Sequence, residues 1–437
     1  MANANTQPQI NPKPADAPPR SWAARLRFVG PGIVLAMASV GAGDMVTTLN
    51  SASQFGLGLV WVFVVGLILK FALSEAIARL QLTSDRTFLS HLTDLGGRFF
   101  PALFLVIVLL VGFFYGSGLT AITTLTLQAI FPGLPYWPAF AAVVVSAVVL
   151  VGIGRYSVVE KAMYGFGVIM FIGMIWIAFG SAGSEGASAA ATSTLLPTLP
   201  EGSFVTVLSL IGGVGGAIGI LAYSYWVRES GWSGQEWKSV VRLDSGTSYV
   251  IIGIFAIAMS VVGTHLLYTT QTSITEGEAI IPIANLLEPL AGDIGRIMFL
   301  VSLVAIVYTS IIGGFSAIGY LTADSIRVLR GIADEHADRE MAPASIPFRV
   351  ALVYALVCTF AVSTLGKPVT LVIVYATVSA FVLPILSFAL LRLLNRSSLP
   401  QRLRNGWLSN IALVACLLLF GFLAVVQVLE SLGLYSG

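Results

Sequence analysis

Long apolar segments, separated by short polar stretches, follow one another along almost the whole chain. A helix of about 20 apolar residues crosses the ~30 Å hydrocarbon core of a bilayer, and most of these segments reach that length. They are too long for the strands of a membrane barrel. The pattern predicts eleven membrane-spanning helices, over residues 28–54, 57–83, 101–129, 137–154, 160–181, 204–227, 247–269, 293–321, 347–364, 368–392 and 407–431.

The segment before the first apolar run is polar and rich in proline. It lacks the basic and then apolar layout of a signal peptide, so residues 1–27 are predicted to form a flexible cytoplasmic tail. Residues 28–437 are predicted to form a single transmembrane domain. This domain divides into a first repeat over 28–181, a second repeat over 204–392 and an extra helix over 407–431.

The basic residues predict the orientation of the chain. With the N-terminus in the cytoplasm, 20 of the 23 lysine and arginine residues fall in cytoplasmic segments. Such a bias is the positive-inside signal of a multi-pass protein. We therefore expect a protein of the inner (plasma) membrane, with a cytoplasmic N-terminus and an external C-terminus. The cytoplasmic segment 324–340 is predicted to form a short amphipathic helix on that face.

The composition excludes several classes of protein. Hydrophobic residues make up 57% of the chain and charged residues only 10%, against roughly 25% charged residues in soluble domains. This excludes a soluble enzyme, a disordered chain and a nucleic-acid binder. The two cysteines, Cys358 and Cys416, lie in apolar runs and predict neither a disulfide framework nor a zinc site. No nucleophile–base set, cofactor loop or metal cluster is present to indicate enzymatic activity.

Helix-breaking residues concentrate in the first and sixth predicted spans. The first contains Gly41, Gly43 and Asp44 at its middle, and the sixth contains five glycines within residues 212–219. These spans open two blocks of five spans, and because five is odd the second block enters from the opposite side. An inverted repeat with two broken helices places the substrate of a secondary transporter between the breaks. The alternative is that these glycines only allow close helix packing.

Three ionisable side chains lie deep in the predicted spans: Asp44, Lys70 and Glu75. A charge at the bilayer centre costs about 2.5–3.5 kcal/mol on insertion scales, so each requires a partner or a function. Asp44 at a helix break is the predicted cation ligand, and the alternative is a structural acid paired with Lys70. Glu75 and Lys70 are candidates for a proton path or a gate. Glu75 could equally hold freed backbone groups in place.

Three runs resemble the NRAMP family of divalent-metal transporters. Residues 30–62, which include Ser53, Gln54, Phe55 and Gly56 and end in Leu-Val-Trp-Val, resemble the first helix of that family. Residues 75–92 resemble the end of its second helix, and residues 371–396 its tenth helix. The resemblance implies an all-α polytopic membrane protein with the LeuT-type fold, a 5+5 inverted repeat and broken helices 1 and 6.

The sequence departs from the metal motifs of the family. Gly41, Ala42, Gly43 and Asp44 align with Asp-Pro-Gly-Asn, so the acid occupies the position of the asparagine. Residues 220–222, Ile-Leu-Ala, stand where the family has Met-Pro-His. The soft thioether ligand and the histidine of the family are therefore missing from this site. The predicted span 101–129 also contains no acidic or basic residue. The departures resemble the NRAMP-related branch that includes magnesium transporters.

An oxygen-only site is expected in a roomy, glycine- and alanine-rich pocket. It favours a hard cation, Mg²⁺ or Mn²⁺, moved by alternating access with weak or no proton coupling. The predicted metal ligand is Asp44, and the predicted substrate-binding residues are Asp44, Gly41, Ala42, Thr47, Gly219, Ile220, Ala222, Tyr223 and Thr377. Thr48 and Ser224 are further candidate hydroxyls.

A carrier of a small organic solute, an amine or an amino acid, is the alternative. Its pocket would be lined by aromatic side chains such as Tyr115, Tyr223, Tyr225, Trp226, Tyr308 and Tyr375. In either case we expect a protein surrounded by membrane lipid that binds no cofactor and no nucleic acid. We expect it to be a monomer or a weak oligomer.

Overall fold

The computed structural model describes residues 18–19, 21–153, 156–182, 199–213, 216–268, 280–365, 368, 371, 374–375, 378 and 381–431. Regular structure in these residues is helical. The helices are α1 (Trp22–Leu26), α2 (Pro31–Ser39), α3 (Ala42–Phe55), α4 (Val60–Gln81), α5 (Phe88–Gly96), α6 (Phe99–Ile130), α7 (Tyr136–Gly152), α8 (Tyr156–Ala182), α9 (Phe204–Gly213), α10 (Ala217–Glu229), α11 (Lys238–Gly263), α12 (Ile280–Arg330), α13 (Ala337–Met341), α14 (Ile346–Val362), α15 (Val382–Leu394) and α16 (Trp407–Ser431).

Most predicted spans coincide with helices of the fold. Five described helical segments are each long and apolar enough to cross a membrane: Val60–Gln81, Phe99–Ile130, Gln235–Gly263, Gly292–Arg330 and Trp407–Val426. The remaining predicted spans are interrupted, shorter, or partly outside the described residues, as span 368–392 is. The total of eleven and the inverted repeat therefore stay predictions.

The first and sixth predicted spans are each interrupted. The first consists of α2 and α3, which are separated by Val40 and Gly41 in extended conformations. The sixth consists of α9 and α10, and α10 begins after Gly216, whose φ is 27°. A φ in that region favours glycine because a side chain would be strained there. The prediction of two broken helices is confirmed at this level.

The half-helix α2 lies at the centre of the bundle, where it packs against α8, α10, α11 and α12. Glycine allows the close approach of α12, since a Cβ atom on Gly313 would lie 2.3 Å from the Cβ of Ala38. Val34, Leu35 and Ala36 of α2 have no exposed surface. An apolar half-helix buried on all sides is consistent with a position inside a membrane bundle.

Three elements differ from the sequence expectations. The short helix α1 lies inside the predicted flexible tail, where the side chain of Ser21 accepts a hydrogen bond from the Ala24 N–H. The helix α11 begins nine residues before the predicted span 247–269. The helix α12 continues to Arg330, so the predicted amphipathic helix over 324–340 is wrong: only a 3₁₀ turn and α13 follow it. The start of α11 and the end of α12 contain polar residues, so a search for apolar segments does not detect these extensions.

Candidate functional site

The first helix break is completed by neighbouring side chains. The hydroxyl of Ser310 on α12 donates to the Val40 carbonyl at 2.8 Å. The Ile306 carbonyl of its own helix lies 3.1 Å from the same hydroxyl. The carboxylate of Asp44 accepts from the Gly41 N–H at 3.0 Å and so caps α3. Backbone groups freed by a break inside a membrane each cost several kcal/mol unless they are bonded in this way.

The second break faces the first. A Cβ atom on Gly216 would lie 3.6 Å from the Cα of Ser39, and one on Gly219 would lie 3.0 Å from the Ser39 hydroxyl. Ser39, the last residue of α2, is 3% exposed, and its hydroxyl has no hydrogen-bond partner among the described residues. Gly216 and Gly219 are nevertheless partly exposed, so the end of α2 and the first turn of α10 border one small space.

Two buried charges lie beside this space. Asp44 is 7% exposed, and Lys70 on α4 has no exposed surface. Asp44 is the largest favourable charge acting on Lys70, so the carboxylate and the ammonium group interact electrostatically. A carboxylate has about four lone-pair positions, and the bond to Gly41 uses one of them. Capping of α3 therefore leaves oxygen lone pairs of Asp44 for other partners.

Tyrosine rings form a further wall near Asp44. Tyr115 on α6 and Tyr375 both lie within the electrostatic reach of the Asp44 carboxylate, and their ring centroids are 4.7 Å apart. The Tyr115 hydroxyl donates to the carbonyl of Ser310 at 2.6 Å, and the hydroxyl of the same Ser310 completes the first break. The aromatic wall and the break are therefore parts of one packed unit.

The other aromatic candidates are engaged elsewhere. The Tyr225 hydroxyl donates to Asp324 at 2.7 Å, the indole N–H of Trp226 lies 3.4 Å from the Ser316 hydroxyl, and the Tyr308 hydroxyl lies 2.8 Å from that of Ser146. These contacts join helices to one another. Only Tyr115 and Tyr375 of the six aromatic candidates are brought beside Asp44 in the described residues.

The predicted substrate residues of α10 lie at different depths. Gly219 is partly exposed at the break, whereas Ile220 and Ala222 are fully buried in the packed core. The hydroxyl of Tyr223 donates to the carboxylate of Asp244 on α11 at 2.6 Å, which directs it towards the start of α2. Thr377 lies outside the described residues, as does the side chain of Ala42. The roles of these residues in binding stay predictions.

Two hydroxyls of α3 and one of α10 were also candidates. The Thr47 hydroxyl donates to the Asp44 carbonyl at 3.2 Å, and the Ser224 hydroxyl donates to the Leu221 carbonyl at 2.9 Å. Thr48 is 1% exposed, and its hydroxyl has no partner among the described residues. Thr48 therefore remains the more available oxygen of the three.

Glu75 lies in an ion-paired group at the predicted cytoplasmic end. Its carboxylate is 3.1 Å from the guanidinium of Arg79 and 3.3 Å from that of Arg242 on α11. The guanidinium of Arg79 also donates to the carbonyls of Leu403 and Arg404 ahead of α16. Glu75 thus ties α4 to α11, an arrangement that suits a gate or a structural tie more directly than a proton path.

The sequence expectation of only three ionisable groups deep in the helices is wrong. Asp244, Asp324 and Arg327 are also buried, with exposed fractions of 0%, 0% and 1%. They were missed because α11 and α12 extend beyond the predicted spans. A signal exists for Asp244, since Val240, Val241, Asp244 and Ser248 share the helical spacing of one buried face.

The second ionic group at the same end joins α12 to the α4–α6 connection. The guanidinium of Arg327 lies 2.8 Å from Asp324 and 3.0 Å from Asp334, and it donates to the Ser90 hydroxyl at 2.7 Å. Nearby, hydrogen bonds from Arg86 and Arg396 lower the pKa of Asp94 to about 2. Burial and the positive charge of Arg86 lower the pKa of His91 to about 4. These loops are held together by ion pairs, and His91 is neutral at physiological pH.

No three histidine, cysteine, aspartate or glutamate side chains converge on a possible metal position within the described ranges. A cation between the breaks would instead meet the carboxylate of Asp44, hydroxyl oxygens and backbone carbonyls. Such a donor set suits a hard cation that keeps part of its water shell.

Comparison with known proteins identifies relatives of the whole chain. The model of the Natural resistance-associated macrophage protein-like family (Nramp) matches residues 32–430. The metal transporter Nramp7.1 of Populus trichocarpa is 29% identical over 77 residues, which are 18% of this chain and 13% of that protein. The chain is thus aligned with only a small part of this curated relative.

Solved structures share the fold. A mutant of the manganese transporter of Eremococcus coleocola superposes with a TM-score of 0.76 at 14% identity, covering 96% of this chain and 91% of the other. MhsT, solved in complex with L-phenylalanine, superposes with a TM-score of 0.57 at 15% identity, covering 92% of this chain and 100% of the other. The similarity establishes the LeuT-type fold for this chain.

Proposed function

The chain belongs to the Nramp family, and on that premise we propose that it is a secondary transporter of a hard divalent cation, Mg²⁺ or Mn²⁺. The cation crosses by alternating access between the two halves of the bundle, with weak or no proton coupling. It is the substrate, and transport needs no cofactor. The protein acts in the plasma membrane, N-terminus inside, as a monomer or weak oligomer.

One observation carries the proposal: two interrupted helices face one another, with the buried Asp44 at the first break. Broken helices of this kind expose carbonyls and half-helix ends that bind ions at the midplane of secondary transporters. The manganese transporter with the same fold supports a metal as the cargo.

The chemistry of the donors favours a hard cation. Residues 220–222 contribute no sulfur and no imidazole, which supports a site built from oxygens around Asp44. Thioether ligands select softer transition metals, whereas carboxylate, carbonyl and water oxygens suit Mg²⁺ and Mn²⁺. Mg²⁺ retains several waters and is bound by one or two carboxylates, which matches a single acid.

The distribution of charge supports the proposal of weak proton coupling. The helix α6 contains no acidic, basic or histidine residue over its whole length. Glu75 is ion-paired with both Arg79 and Arg242, which supports a role as a tie between α4 and α11 and not as a proton carrier. We assign Glu75 to the inner gate and Lys70 to the electrostatic balance of Asp44.

The test is cation flux into proteoliposomes containing Asp44→Asn or Asp44→Ala protein. Asparagine can still cap α3, whereas alanine cannot, so the pair separates the ligand role of Asp44 from its capping role. We expect both variants to lose Mg²⁺ and Mn²⁺ uptake, and only Asp44→Ala to lose the cap. Wild-type flux in Asp44→Asn would limit Asp44 to capping.

A carrier of an amine or amino acid is the second candidate. The fully buried Lys70 beside Asp44 favours it, because a resident ammonium group opposes the entry of a divalent cation. Tyr115 and Tyr375 would then contact the apolar part of the solute. Calorimetry of the purified protein with Mg²⁺, Mn²⁺ and a panel of amino acids and amines distinguishes the two candidates. Binding of an organic solute without binding of either metal would establish the second.

A further inference from the structure

Asp244 has a place in the fold that cation binding does not explain. Its side chain is fully buried where α11 passes the start of α2. One carboxylate oxygen accepts from the Gly30 N–H at 2.9 Å, and the other accepts from the Tyr223 hydroxyl at 2.6 Å. The backbone N–H of Gly32 also interacts with the same carboxylate. A single acid therefore joins α2, α10 and α11.

The contact places a carboxyl group at the positive end of a half-helix. The first N–H groups of a helix have no partner inside the helix, and the N-terminus carries about half a unit of positive charge. In α2 these groups are not capped by the side chain of the preceding residue, because that residue is Gly30. Asp244 supplies the cap from another helix, so the cap is lost if α2 moves.

The surroundings of Gly30 and Gly32 are tight on every side. A Cβ atom on Gly32 would lie 2.2 Å from the Asp244 carbonyl, and one on Gly30 would lie 2.3 Å from the Glu160 carboxylate. The Tyr164 hydroxyl of α8 donates to the Val29 carbonyl. The start of α2 is thus seated against α8 and α11 with no intervening space.

The other end of α2 is built differently. Ser39 borders the space between the two breaks, and Val40 and Gly41 connect α2 to α3 in extended backbone. Nine helical residues therefore lie between a two-residue connection and the contact with Asp244. If that contact opens, α2 can tilt about Val40 and Gly41, which uncovers the space at Ser39 from the side of Gly30.

We propose that Asp244, held by Tyr223, is the positioning residue that keeps α2 against α11 and so closes the transport site towards the cytoplasm. The inference rests on the proposed alternating-access transport, but it names the moving segment and the contact that must open. Asp244 does not touch the cation in this role. It sets how often the site faces the inside.

The experiment measures which side of the membrane reaches the site. The substitution S39C places a thiol at the end of α2, in a background where Cys358 and Cys416, both buried, are replaced by alanine. Its reaction with a membrane-impermeant thiol reagent is followed in vesicles of either orientation. Adding Asp244→Asn should raise labelling from the cytoplasmic side about tenfold and lower labelling from outside, since the amide is a weaker acceptor for the Gly30 N–H and the Tyr223 hydroxyl.

A matched control and a milder variant accompany this measurement. Glu229 accepts from the Tyr320 hydroxyl at 3.0 Å and joins α10 to α12 without touching α2. Glu229→Gln should leave both labelling rates unchanged. Tyr223→Phe removes one bond and retains Asp244, so we expect a smaller increase of about two- to fivefold. If Asp244→Asn fails to fold, Tyr223→Phe decides the question.

Unchanged labelling in these variants, or labelling raised from both sides together, would overturn the proposal, because a merely loosened bundle opens in both directions. Asp244→Glu should restore the parental ratio of inside to outside labelling. The readout needs no substrate. If the wild type transports neither Mg²⁺ nor Mn²⁺ but the labelling shifts as expected, the proposed cargo is rejected and the role of Asp244 is supported.

Discussion

The two helix breaks are chemically unlike, although they face one another. At the first, the Val40 carbonyl accepts from Ser310, and the Gly41 N–H donates to Asp44. At the second, α10 begins after Gly216 without a side-chain cap, and the nearby Ser39 hydroxyl has no partner among the described residues. The first break is completed by side chains of the protein, whereas the Ser39 hydroxyl that faces the second break has no partner within the described residues.

We infer from this difference that one break mainly stabilises the fold and the other mainly affects substrate binding. Unwound backbone in a membrane persists only where the protein or a ligand satisfies it. The first break is therefore expected to determine stability and to hold Asp44 in place. The second break is expected to affect the affinity for the substrate more than the stability of the fold.

The largest expected effect follows from removal of Asp44. Asp44→Ala removes the cap of α3 and the negative charge beside Lys70, and an uncompensated buried charge costs about 3–5 kcal/mol. We expect loss of flux and a strongly lowered unfolding temperature, measured in detergent by intrinsic fluorescence. Adding Lys70→Met should recover part of the stability and none of the flux. A double variant no more stable than Asp44→Ala would show that Lys70 is not the charge that Asp44 compensates.

A smaller loss of stability is expected for Ser310→Ala. The Val40 carbonyl then loses its donor inside the bundle, which costs about 1–3 kcal/mol for a buried polar group. Ser260 is the matched control, because its buried hydroxyl donates within its own helix to the Ala256 carbonyl at 2.8 Å. Ser260→Ala should unfold close to the wild-type temperature. Equal losses in both variants would contradict the special role of the first break.

Much of the fold could be predicted from residue patterns, and the reasons are physical. Apolar length locates α4, α6 and α16 to within a few residues, because the bilayer requires a fixed helix length. The break at Val40 and Gly41 and the break at Gly216 both lie among clustered glycines. Apolar length does not locate helix ends that contain buried polar residues. Asp244 and Arg327 were missed because they lie in such ends of α11 and α12.

The site was predictable in part. Asp44 was identified because an acid inside an apolar span requires a compensating environment, and the structure gives it Gly41 and Lys70 as neighbours. Ser39 and Ser310 were not identified, because serine is common in membrane helices and its partner depends on which helices meet. The direction of Tyr223 towards Asp244 likewise depends on the packing of α10 against α11.

A further prediction concerns the backbone of the second break. Gly216→Ala introduces a side chain at a φ of 27°, a strain of about 1–3 kcal/mol. Its Cβ would lie 3.6 Å from the Cα of Ser39, an ordinary contact, so strain and not collision is the cause. Gly165→Ala is the control, since that helical position has nothing within 4 Å. A Gly216→Ala protein as stable as Gly165→Ala would show that the second break tolerates a side chain.

The smallest effect on stability, and the sharpest contrast with Ser310, is expected for Ser39→Ala. Because the Ser39 hydroxyl forms no bond within the described residues, its removal should change the free energy of unfolding by less than about 0.5 kcal/mol. The same hydroxyl can accept a hydrogen bond from a water of a hydrated cation between the breaks. Its loss should raise the KM for Mg²⁺ about two- to tenfold at unchanged maximal rate, which corresponds to one hydrogen bond. A destabilised Ser39→Ala protein with wild-type KM would reverse the roles assigned to the two breaks.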